Sequence, residues 1–158
     1  MALRPTAEIV FEEDDLAPIV AVLRERLAQG RGWINLQPEV EEGHEPPPRG
    51  LGFAIFSGRG APVPLATWTA PEDDGGPVTL GIQHGSGPKA IQRLADEDLP
   101  LRPGWLKRAD HSRRGLVVEV PADEDVAEVL GWLIDASHVL SVPPLTGSWM
   151  ADVYDGGS

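Results

Sequence analysis

The segment from Gly115 to Leu140 constrains the fold more than any other. GLVVEV (115–120) reads as a strand, and Pro121-Ala122-Asp123-Glu124-Asp125 opens the longest helical pattern, 123–141. Within it Val126, Val129, Leu130, Leu133, Ile134 and Leu140 recur at helical spacing, so one face must be buried. Pro143-Pro144 forbids continuation, and His138 falls near the negative end. A second stripe, Leu16, Ile19, Val20, Leu23 and Leu27, predicts a helix over 15–29. Asp15 is its expected cap, Pro18 sits within the tolerated first turn, and Gly30 supplies the stop. The acids Glu12, Glu13, Asp14 and Asp15 then match the positive end of that helix's dipole. Two striped helices need a common apolar surface to cover.

A sheet supplies it. Trp33–Leu36, Leu51–Ser57, Pro64–Thr69 and Val78–His84 are strand-like, joined by turns such as Ser57-Gly58-Arg59-Gly60 and Glu72-Asp73-Asp74-Gly75-Gly76. Ser148–Tyr154 adds a last strand. Short connections join antiparallel neighbours. The expected fold is therefore α+β: a mostly antiparallel sheet of five to six strands, two amphipathic helices on one face, and a short third helix over 88–95. With 158 residues and 41% hydrophobic content, the chain suits a single domain over 1–158. Residues 37–50, with four glutamates and four prolines, predict an exposed loop whose Pro46-Pro47-Pro48 favours polyproline II.

The absence of cysteine excludes disulfides, thiolate-bound zinc and thiol catalysis. A net charge of −12 argues against nucleic acid and anionic membrane as partners and favours a basic protein. The first 30 residues show acid-rich sequence rather than an apolar signal, and Leu16–Leu23 is too short to span a bilayer, so a cytoplasmic location is expected. Arginine outnumbers lysine 11 to 2 among abundant Ala, Gly and Pro, as in GC-rich bacterial genomes.

Two segments carry candidate chemistry. In Gly85-Ser86-Gly87-Pro88-Lys89-Ala90 a strand meets a glycine turn and a helix start with a cationic first turn, the geometry that offers backbone N–H groups to an anion. It fits the loose dinucleotide pattern, but the preceding strand alternates and no further βαβ units follow. It is neither a P-loop nor a nucleophile elbow, which would need glycines where His84 and Pro88 stand. The second segment is Arg108–Arg114: five of the 13 basic side chains fall between 102 and 114. Folded beside Lys89, it would place Arg113 and Arg114 over the glycine turn as a pocket for phosphate or carboxylate, with His84 and His111 as the acid–base groups. The competing expectation is that these arginines form surface ion pairs with neighbouring acids. None of the four histidines has metal-ligand spacing, so no metal or cofactor is expected; a zinc site from His84, His111 and His138 would depend wholly on the fold.

Five tryptophans stand beside one tyrosine. Trp132, on the flank of its helix stripe, and Trp149 are the expected exposed interface residues; the others fill the core. In architecture and charge the chain resembles small bacterial proteins that act by binding others, secretion-chaperone-like folds and immunity proteins. The expectation is a non-enzymatic protein-binding module, forming a homodimer. The alternative is a small-anion or nucleotide-binding protein that uses the glycine turn and the basic segment.

Overall fold

A computed structural model describes residues 4–44, 62–112 and 114–156. The strand expected at Leu51–Ser57, the proline triplet, residues 45–50 of the expected loop and Arg113 lie outside these. In chain order the elements are β1 (Ala7–Glu12), α1 (Ala17–Gln29), β2 (Trp33–Val40), β3 (Leu65–Thr69), β4 (Val78–Gln83), α2 (Ala90–Asp96), β5 (Leu106–His111), β6 (Gly115–Val120), α3 (Val126–Leu140) and β7 (Leu145–Tyr154). Seven strands form one sheet in the order β1-β7-β2-β3-β4-β6-β5, every neighbouring pair antiparallel. The fold is α+β, with seven strands among the described residues where five to six were expected. No helix among the described residues is long and apolar enough to cross a membrane.

Alternation decides which face is covered. Phe11, Ile34, Leu36, Trp68, Leu80, Ile82, Leu116, Val118, Trp149 and Val153 are all buried against the helices. From above them α1 contributes Ile19 and Leu23, and α3 contributes Leu130, Leu133 and Leu140. Helix α3 touches α1 on one side and α2 on the other. The opposite face of the sheet carries Val10, Gln37, Thr67, Glu119 and Met150, at half-buried to exposed positions. Removing these apolar side chains from water is the main stabilising term.

Several expectations shift at the edges. Glu12 closes β1, and Asp15 donates its backbone N–H to the Glu12 carbonyl at 3.0 Å, so the acid run makes a tight turn. Helix α1 therefore starts at Ala17, with Leu16 as its N-cap residue and no side-chain cap from Asp15. At its other end Gly30 is left-handed, and its N–H bonds the Arg26 and Leu27 carbonyls. Strand β2 runs on to Val40, four residues into the expected loop. Pro38 is tolerated there because β3 pairs only with Trp33–Leu36, which leaves no ladder bond on that side for proline to donate. Strands β1 and β5 were not expected as strands. They form the two sheet edges, where one-sided pairing relaxes the demand for apolar alternation.

Candidate functional site

The glycine turn after β4 is closed by its own side chains. His84 is fully buried, and its Nδ1 accepts the Ser86 backbone N–H at 3.3 Å. That acceptor role leaves the ring hydrogen on Nε2, so the Ser86 hydroxyl, 2.8 Å from Nδ1, donates to the same nitrogen. Burial, reinforced by the Arg93 guanidinium, holds the His84 pKa below its ordinary 6.5, while the Asp110 carboxylate opposes the shift. The Arg93 guanidinium donates to the Ser86 carbonyl at 3.0 Å and the Gly87 carbonyl at 2.8 Å, clamping the turn onto its own helix.

The start of α2 is capped from a distant strand. Asp110, on β5, accepts the backbone N–H of Ala90 and of Ile91, both at 3.0 Å. Lys89 occupies the N-cap position with φ 61° and no side-chain cap, so the helix begins at Ala90 rather than at 88. The local sequence offers no capping side chain there, and the carboxylate reaches in across about 20 residues of chain. The donors that would greet an external anion at this helix start are thus taken by Asp110. Two donors in the cluster, His84 Nε2 and Arg93 Nε, are buried without a hydrogen-bond partner.

The second sequence segment divides. Lys107, Arg108, Asp110 and His111 belong to β5, and Arg108 pairs with Glu119 of β6 at 2.7 Å. That ion pair links neighbouring strands, and its Glu119 also lines a cavity of about 490 Å³ beside Leu106. Arg114 is exposed in the β5–β6 turn, where its N–H reaches His111 Nδ1 at 3.4 Å. Gly115 closes the hairpin with φ +89°, and a Cβ there would lie 2.3 Å from the Ile82 carbonyl oxygen, so only glycine fits. Arg113 is outside the described residues. Among those residues no group of three or more His, Asp or Glu side chains could hold a metal ion.

Trp132 and Trp149 are not an exposed rim. They are 4% and 2% exposed. Trp132 packs edge-on against Trp105 at 5.2 Å and donates its indole N–H to the Pro100 carbonyl at 3.3 Å. Its flank position on α3 is covered by the loop after α2, which helix periodicity could not reveal. Trp149 stacks on Phe11 at 6.3 Å and donates to Glu13 Oε1 at 2.8 Å. The same carboxylate oxygen meets His138 Nε2, tying α3 to the β1–α1 turn. Glu13 thus does a structural task that its place in an acid run concealed.

Exposed apolar side chains lie elsewhere: Val142 after α3, Leu106 on β5, and the pair Val10 and Met150 on the open sheet face. Val10 is 71% exposed and Met150, its register partner on β7, is 36% exposed. Val10, Gln37, Pro38, Glu39, Ser148 and Met150 line a shallow cleft of about 240 Å³ there. Trp33 and Tyr154 stack at 5.0 Å farther along. These features define an α+β fold in which, among the described residues, the helices cover one face of the sheet and leave the other open. Compared with known protein families, curated proteins and solved structures, the chain gives no significant match to any.

Proposed function

We propose that this protein is a non-enzymatic binding module whose partner, another protein, docks on the uncovered sheet face, in the manner of an adaptor, secretion chaperone or immunity protein. The observation that supports this is the Val10–Met150 pair: two apolar side chains side by side in a cleft, at a face no described helix covers. A photo-crosslinking amino acid at position 10 tests it in cells, with the same group at exposed Glu25 of α1 as the control. One discrete protein adduct from position 10, absent from position 25, is the expected result. Equal labelling at both positions, or none at position 10, overturns the reading. The homodimer expected from the sequence belongs to the same proposal, and sedimentation across a concentration series tests it.

A second reading keeps the small anion. It is favoured by the buried, unpartnered donors His84 Nε2 and Arg93 Nε beside Ser86. Phosphate or a nucleotide held there raises the thermal midpoint by mass action. The shift disappears in Arg93→Ala and persists in an exposed control, Arg24→Ala.

A further inference from the structure

The two edges of the sheet are not equivalent. Strand β5 carries a register irregularity between Lys107 and Ala109 and commits Arg108 and Asp110 to contacts within the chain. A bulge of this kind turns an edge away from further pairing; on β1 Glu12 accepts the Ser148 hydroxyl at 2.7 Å, but the ladder is regular. Strand β1 pairs with β7 without interruption from Ala7↔Val153 to Glu12↔Ser148. Among the described residues no strand lies on its outer side.

The face beside that edge has one sign of charge. Strands β1, β2 and β7 together hold Glu8, Glu12, Glu39 and Asp152 and no lysine or arginine. Glu8 lies directly opposite Asp152, a like-charge pair that no cation on these strands offsets. Asp152 takes a long 3.4 Å hydrogen bond from Gln37 on Oδ2, while its Oδ1 is buried without a partner. Along β1 itself, alternation puts Glu8, Val10 and Glu12 on this one face, with Val10 beside Met150.

Resting on the docking reading above, we propose that β1 accepts an extended, cationic segment of a partner protein as an eighth strand. Main-chain bonds along the free edge supply pairing. Lysine or arginine at two positions four residues apart faces Glu8 and Glu12, and an apolar residue midway covers Val10. The same acids disfavour a second copy through this edge: antiparallel self-pairing centred on Val10 sets Glu8 against Glu12 of the other chain at both ends. Pairing of β1 with β5 of another copy is head to tail, and closes into a ring or grows into an open chain according to its rotation.

The test uses the full chain and a capped peptide, Thr-Arg-Thr-Leu-Thr-Arg-Thr, followed by amide chemical shifts and fluorescence anisotropy. Expected shifts centre on Ala7–Glu12 and their β7 partners. A peptide N-methylated on its pairing edge keeps the charges but loses the strand bonds, and binds at least about tenfold more weakly. Glu8→Lys with Glu12→Lys reverses the preference toward a peptide bearing glutamates in place of arginines. Equal binding of the N-methylated peptide, shifts centred elsewhere, or no shift at millimolar peptide overturns strand addition. Concentration-dependent growth of the free protein, abolished by Val10→Pro, assigns the edge to a second copy instead and overturns the cationic partner. A protein adduct at position 10 with a silent peptide leaves the docking reading standing and removes only this inference.

Discussion

Asp110 offers the sharpest test of how the segment between β4 and β5 is held. Asp110→Ala deletes the acceptor for both backbone donors at the start of α2 and leaves the rest of β5 in place. Loss of a capping side chain costs about 1–2 kcal/mol. Ala90 is fully buried, so its freed N–H has no ready water, and the loss falls at the upper end, about 2 kcal/mol. For a chain of this length that lowers Tm by about 4–8 °C. Asp110→Asn keeps an acceptor oxygen but loses the charge, and costs about 1 kcal/mol. Urea denaturation at neutral pH measures both, with the slope m unchanged if the native state stays compact. Hydrogen exchange supplies the local readout: the amides of Ala90 and Ile91 lose protection in the alanine variant, while those of α3 follow the global change only. If both variants fall within about 0.5 kcal/mol of wild type, with the α2 amides equally protected, a capping role for Asp110 is refuted.

Three further outcomes are expected. Gly115→Ala places a Cβ against the Ile82 carbonyl at a left-handed φ and costs about 3 kcal/mol, read from the urea midpoint; a neutral result would mean the hairpin can move away. Trp132→Ala costs about 3–5 kcal/mol because the ring is core, whereas an exposed interface tryptophan would leave stability almost unchanged. For His84 the unfolded imidazole binds its proton near 6.5 and the buried one only at lower pH, so between those values the unfolded state holds more protons and stability falls as pH drops. His84→Gln flattens that part of the stability profile, measured by denaturation from about pH 7.5 to about pH 5; an unchanged slope would assign the acid sensitivity to other groups.

Local pattern was enough to read the two long helices, the strands β3, β4 and β6, and the antiparallel, one-sided α+β architecture. Stripes such as Val126, Leu130 and Leu133 have one physical solution, because an apolar helix face must be buried. The start of α3 was read three residues early: Asp125 caps it, accepting the N–H of Ala127 at 2.8 Å and of Glu128 at 3.3 Å, so the helix begins at Val126 rather than at 123. Edge strands escaped the same reading. In LKRADH of β5 no apolar alternation survives, because its place in the sheet is decided by pairing with β6. β1 was hidden by the acid run that follows it.

Of the candidate chemistry, the sequence by itself determined the residue types and the net charge of −12. It could say that Ser86 sits between glycines and that basic residues gather after 102, since both are properties of adjacent positions. Only the tertiary structure decided what those residues face. Asp110 finds the α2 amides, Glu13 finds Trp149 and His138, and Trp132 finds a covering loop, each through contacts between residues far apart in the chain. It also decided that β1 is an edge and that Glu8 looks onto Asp152. Helical and strand periodicity report which side of an element is apolar. They carry no information about which element lies next to it, and β1 is an edge only because β7 returns to pair between β1 and β2.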